Sequence, residues 1–152
     1  IDLLLAVRDL LAAEIARVEA SVRLVDESYE ASVRVDAEQI QQLLLNLFIN
    51  ALDAMPDGGL LTVQLSCEGE EVLLRVADSG SGIPPELLPH IFDPFYTTKP
   101  AGRGNGLGLV VVQGIVGEHG GHIEARSEPG QGTEFRVRLP GAASQAATGS
   151  GI

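Results

Sequence analysis

The chain has 152 residues, 45% of them apolar and 20% charged, enough for one globular domain with a real core. A formal charge of −11 excludes a general nucleic-acid surface, because phosphate backbones are held by clustered Lys and Arg; any phosphate must be bound locally. The single cysteine, Cys67, excludes an internal disulfide and a zinc spacing, and points to a reducing, cytoplasmic setting.

Leu3-Leu4-Leu5 is cut short by Arg8 and Asp9, so this segment makes no membrane contact; a membrane anchor of the parent protein would lie elsewhere. Leu3, Val7, Leu10, Leu11, Ile15 and Val18 recur in threes and fours and predict an amphipathic helix from residue 2 to about 19. Val22 and Leu24, then Val33 and Val35, predict two short strands joined by a loop. Residues 36 to 55 are helical in pattern, stopped by Pro56-Asp57-Gly58-Gly59. Leu61-Val63-Leu65 and Val72-Leu74-Val76 alternate around Glu68-Gly69-Glu70, as a hairpin does. A Gly- and Pro-rich stretch follows to Gly104, with a short apolar patch at Leu87, Leu88 and Ile91; a loop of that length is functional or mobile. Residues 106 to 118 predict a buried helix, Ile123 to Ala125 a strand, and Phe135-Val137-Leu139 a closing strand. Residues 141–152 are small and polar and predict a disordered tail behind a domain of residues 1–140. The mixed order predicts a two-layer α/β sandwich, a mixed sheet with helices on one face.

Four constellations carry chemistry. On the second long helix Gln39, Gln42, Asn46, Asn50 and Asp53 form a polar stripe beside Ile40, Leu43, Leu44, Leu47, Ala51 and Ala54. Amide oxygens there suit Mg²⁺, although a merely solvated stripe fits as well. Asp78-Ser79-Gly80-Ser81-Gly82-Ile83 sets a carboxylate at a strand end, an acceptor for the amino group of adenine; an ordinary turn uses the same residues. Gly102 to Leu109 converges backbone N–H groups on a helix start, where an anion is favoured, yet no Gly-Lys-Ser/Thr ends it and no strand directly precedes it. Lys99 and Arg103, two of ten basic residues, stand just upstream to meet phosphates. Phe92, Phe95 and Tyr96 concentrate three of the six aromatics in the same loop, as in a lid, a docking surface or a locally packed Ω-loop.

The order of these signals is Asn46-x-x-x-Asn50-Ala51, Asp78-x-Gly80-x-Gly82, Phe92-x-x-Phe95, Gly104-x-Gly106-Leu107-Gly108-Leu109 and Gly130-x-Gly132-Thr133. It resembles the N, G1, F, G2 and G3 boxes of the GHKL ATPase superfamily and, within it, the catalytic domain of two-component sensor histidine kinases, over nearly the whole chain. The strings at residues 50–55 and 91–99 look most like the nitrogen-regulation type. The resemblance implies a Bergerat-type fold, with five strands backed by three helices and an ATP lid at about 84–105. It implies that Asn50 ligates Mg²⁺, that Asn46 lines the phosphate site, and that Asp53 and Lys99 contribute. Asp78 would read adenine, with Gly80, Gly82, Ile83 and Thr133 around the base. Arg103, Gly104, Asn105, Gly106, Leu107, Gly108 and Leu109 would hold the triphosphate.

The implied activity is transfer of the γ-phosphate of ATP to a histidine on a separate helical dimerisation and phosphoacceptor domain, which in turn serves a response regulator. None of His90, His119 and His122 stands in the acceptor pattern of a His followed by an acidic residue. Two positions depart from the wider pattern. Ser79 replaces the usual Asn of the G1 box, and Asn46 stands where hydrolytic members place a Glu base. Water needs deprotonation to attack phosphorus, whereas neutral imidazole already has a lone pair, so Asn46 favours histidine as acceptor. The alternatives are a degenerate ATP-binding or partner-docking module, and a hydrolytic ATPase.

Overall fold

The computed structural model describes residues 2–27, 35–93 and 108–141. Helices α1, Asp2–Leu10, and α2, Ala12–Arg17, occupy the run expected as one helix to about residue 19. Their separation is local: Leu11 N donates to Val7 O at 3.0 Å and Ile15 N to Leu11 O at 2.9 Å, so helical bonding crosses the distortion at Leu11. Strand β1, Ala20–Asp26, follows. The second strand expected around Val33 falls mostly outside the described residues, and Val35 itself is in no strand; it directly precedes Asp36, whose extended backbone is already committed to capping the next helix.

That helix, α3, spans Ala37–Asp53. Asp36 is its N-cap, accepting from Gln39 N at 3.1 Å and so satisfying one of the first-turn amides. Its apolar stripe buries Ile40, Leu43, Leu44, Leu47, Phe48, Ala51 and Leu52. Phe48 and Leu47 are fully buried, and each such side chain contributes about 1.5–3 kcal/mol relative to exposure. Strands β2, Gly59–Glu68, and β3, Glu71–Asp78, form the expected hairpin, longer at both ends than its apolar alternation. Among the described residues, a 3₁₀ turn at Leu88–His90 is followed by helix α4, Gly108–Glu118, and strands β4, His122–Glu128, and β5, Gly132–Pro140.

The five strands among the described residues lie in the order β1-β2-β3-β5-β4. β1 runs parallel to β2, a pairing that needs a crossover, and α3 supplies it; the other neighbours are antiparallel. Leu61, Val63, Leu74, Val76, Phe135 and Val137 point from the sheet into one core shared with Leu4, Val7, Leu43, Leu47, Val112 and Val116. Helices α1, α3 and α4 thus cover one face, which is the mixed two-layer sandwich expected. Strand alternation turns Arg75, Glu134 and Arg136 to the other face, where Glu134 pairs with Arg75 and lies 3.3 Å from Arg136 Nε.

Candidate functional site

Three adjacent strands end in one polar row. Asp78 closes β3 opposite Thr133 of β5, and Thr133 stands opposite Ser127 of β4. Asp78 and Thr133 are the buried polar residues of the described core, 9% and 6% exposed. A carboxylate in that position must be hydrogen-bonded to be tolerated. Asp78 Oδ1 accepts from Gly80 N at 2.9 Å and from Thr133 N at 3.3 Å. Burial pushes the Asp78 carboxyl above its ordinary value, while these two backbone bonds pull it down without cancelling the effect. Oδ2 is left as an acceptor not engaged by either backbone group, which suits a donor such as an amino group.

The turn behind Asp78 is clamped from two sides. A Cβ on Gly80 would stand 2.4 Å from Ala54 O, and Ser81 N donates to that same carbonyl at 3.2 Å, fixing the turn to the end of α3. Gly82 has φ +75°, and a Cβ there would stand 2.1 Å from Glu128 O, so backbone meets backbone on the β4 side. Gly130 N closes that side by donating to Ser81 O at 2.7 Å. Ser79 is engaged elsewhere: its Oγ accepts from Leu60 N at 2.9 Å, and its N donates to Leu60 O at 3.2 Å. The serine therefore ties the turn to β2.

The amide stripe of α3 is only partly a solvated face. Asn46 accepts from Gln42 Nε2 at 3.1 Å and donates to Gly108 O, the first residue of α4, at 3.3 Å. Gln39 Nε2 donates to Glu118 Oε2 at 2.8 Å, so the stripe joins both ends of α4. Asn50, half-buried one turn beyond Asn46, makes no side-chain hydrogen bond among the described residues. Asp53 follows, also half-buried. No group of three or more His, Cys, Asp or Glu among the described residues is placed to hold a metal ion. A cation bound at α3 would take an amide oxygen together with the ligand's own oxygens, a donor set that suits Mg²⁺.

Gly108 and Leu109 open α4, and Leu109 packs against the core. Lys99, Arg103, Gly104, Asn105, Gly106 and Leu107 lie outside the described residues, as do Phe95 and Tyr96. Of the segment expected as a lid, residues 84–93 are described. There Ile91 is buried, and Phe92 stands edge-on to Phe135 with centroids 6.4 Å apart at 77°. His119 takes a turn role: its Nε2 accepts from Asp36 N at 3.1 Å and its Nδ1 contacts Ile115 O at 2.8 Å. The sequence reading passed over Ser127, whose hydroxyl meets Ile83 N, Gly132 O and Thr133 Oγ1. A serine in an alternating strand carries no signal of its own.

Residues 35–143 match the family model described as histidine kinase-, DNA gyrase B- and HSP90-like ATPase. Sensor kinase CckA of Brucella abortus (strain 2308) is 42% identical, over 71% of this chain and 13% of that protein. Sensor histidine kinase ZraS of Escherichia coli (strain K12) is 39% identical, over 80% of this chain and 26% of that protein. The chain therefore spans about a quarter or less of these curated relatives. Among solved structures, the nucleotide-free catalytic domain of histidine kinase ThkA superposes with a TM-score of 0.81 at 31% identity, covering 91% of this chain and 90% of that one. Full-length ShkA in complex with AMPPNP superposes with a TM-score of 0.80 at 31% identity, over 93% of this chain and 30% of that one. By sequence over residues 35–143 and by fold over nine-tenths of its length, the chain belongs to the histidine kinase-, DNA gyrase B- and HSP90-like ATPase family, in the branch formed by histidine kinase catalytic domains.

Proposed function

We propose that this domain binds Mg-ATP and presents the γ-phosphate to a histidine on a separate helical dimerisation and phosphoacceptor domain of the same protein, in a cytoplasmic two-component pathway. The observation that carries the proposal is the buried Asp78 carboxylate, held through one oxygen by Gly80 N and Thr133 N, at the end of the sheet where the turn meets α3. An acceptor fixed in this way accepts from the amino group of adenine and opposes the carbonyl edge of guanine.

Asn50 is the residue to hold Mg²⁺, with Asp53 beside it. The metal would supply neutralisation of phosphate charge. Lys99 and Arg103, with the backbone of Gly104, Asn105, Gly106, Leu107, Gly108 and Leu109, are the residues to hold the triphosphate. In the transfer the imidazole nitrogen forms a bond to the γ-phosphorus as the bond to the β–γ bridging oxygen breaks and ADP leaves. Asn46 supports this over hydrolysis: a neutral amide, bonded to Gln42 and Gly108, is not a base for water. The strings at residues 50–55 and 91–99 support a parent of nitrogen-regulation type, whose phosphorylated histidine serves a response regulator.

The test is transfer from γ-labelled ATP to the parent protein's helical domain, supplied in trans, and to its histidine-to-alanine variant. Label on the first alone is expected. ATP binding without transfer would favour a docking module, and steady phosphate release without an acceptor would favour a hydrolase.

A further inference from the structure

We infer that Ser127 is a positioning residue for nucleotide selectivity: it fixes the hydroxyl of Thr133 so that Thr133, like Asp78, faces the ligand only as a hydrogen-bond acceptor. The inference rests on the adenine-binding role proposed for Asp78. Ser127, Thr133 and Asp78 are cross-strand neighbours in one row on the helix-covered face of the sheet.

Ser127 Oγ is 2.6 Å from Ile83 N, 3.0 Å from Gly132 O and 2.9 Å from Thr133 Oγ1. A hydroxyl has one proton to donate and two lone pairs to accept with. An amide N–H only donates and a carbonyl only accepts, so one arrangement satisfies every partner. Ser127 donates to Gly132 O and accepts from Ile83 N–H, and its remaining lone pair takes the proton of Thr133. Thr133 Oγ1 then has no proton to give and keeps its lone pairs. Its backbone N–H is also occupied, by Asp78 Oδ1.

The row thus offers two acceptors and no free side-chain donor, Asp78 Oδ2 and Thr133 Oγ1. A 6-amino purine satisfies it with an N–H donor, whereas a 6-oxo purine brings an oxygen against acceptors. Without the Ser127 hydroxyl, Thr133 is free to turn its proton toward the ligand, and the 6-oxo purine gains the donor it lacked.

The experiment compares ATP and inosine triphosphate, which differ in that 6-substituent and in the proton that hypoxanthine carries on the adjoining N1, by calorimetry on the whole chain, with melting temperature read separately without nucleotide. The ATP preference is expected to fall about 3- to 10-fold in Ser127→Ala, the worth of one neutral hydrogen bond, and to be restored in Ser127→Thr. Ser127→Cys fills the same space with a weak hydrogen-bonding group and reports the same ratio should the alanine variant fail to fold. In a Thr133→Val background, Ser127→Ala is expected to leave the ratio unchanged. An unaltered preference in folded Ser127→Ala or Ser127→Cys overturns the inference and leaves ATP binding standing, as does an equal loss in the Thr133→Val background. Absence of ATP binding by the unsubstituted chain takes down the adenine-site reading and this inference together.

Discussion

Asp78→Asn separates ligand recognition from folding, because the structure dictates how the new amide must lie. Gly80 N and Thr133 N both donate to Oδ1, so the asparagine oxygen takes that position and the NH₂ group takes the place of Oδ2. On the adenine reading, a donor then faces the amino donor of the base. Leaving buried polar groups unpaired costs about 1–3 kcal/mol, so a loss of about 2–3 kcal/mol, or roughly 30- to 150-fold in ATP affinity, is expected at neutral pH. Folding behaves differently. Burial holds the Asp78 carboxyl above its ordinary value, so its contribution to stability is fully present below the unfolded-state value near 3.8 and is lost as pH rises through the raised folded value. At neutral pH the charged form is therefore a cost that asparagine removes while keeping both backbone bonds. Calorimetry with ATP and thermal melts without nucleotide, both from pH 5 to 8, test this. The variant is expected to melt at or above the parent at pH 7 while binding ATP more weakly. A melting temperature that falls in step with affinity would refute the argument and make Asp78 structural.

Asn50→Ala is expected to abolish the Mg²⁺ enhancement of ATP affinity, since Asp53 sits on the next turn and cannot supply the same ligand position; an undiminished Mg²⁺ effect by calorimetry would reject Asn50 as the metal residue. Gly82→Ala is expected to cost several kcal/mol or prevent folding, because φ +75° and a carbonyl 2.1 Å from the new Cβ both oppose it, whereas Gly114→Ala in α4 meets open space and is expected to be neutral or stabilising in urea denaturation. Burial alone would raise the Glu134 carboxyl, but the hydrogen bond from Arg75 and the positive charges of Arg75 and Arg136 outweigh it and hold the group below its ordinary value. That contribution to stability is present above pH 4.5 and is lost as pH falls through the lowered folded value, so Glu134→Gln is expected to flatten the acid limb of the melting curve; an unchanged limb would count against the pairing.

The elements that the sequence made plain are those whose own residues bear a period. Helix α3 shows its apolar stripe and the Pro56 stop, and the β2–β3 hairpin shows strict alternation around Gly69. Other features depend on contacts between distant residues. The parallel β1–β2 pairing follows from α3 crossing back over the sheet, and no residue of β1 announces it. The distortion at Leu11 has neither proline nor glycine to mark it. In the candidate site, Asp78, Thr133 and the glycine turns were legible through the order of motifs that carries the family resemblance. The reason for Gly80 was not, since it depends on the Ala54 carbonyl at the far end of α3. Ser79 and Ser127 were illegible for the same reason: their hydroxyls act on Leu60, Ile83, Gly132 and Thr133, residues brought close only by the folded sheet.

Titration of the chain with ATP and with GTP by calorimetry, each with and without Mg²⁺, tests the central claim most directly. Saturable ATP binding that strengthens with Mg²⁺, with little for GTP, is the predicted result; equal binding of the two nucleotides would contradict an adenine-selective site at Asp78, and binding of neither would leave a kinase fold used for docking alone.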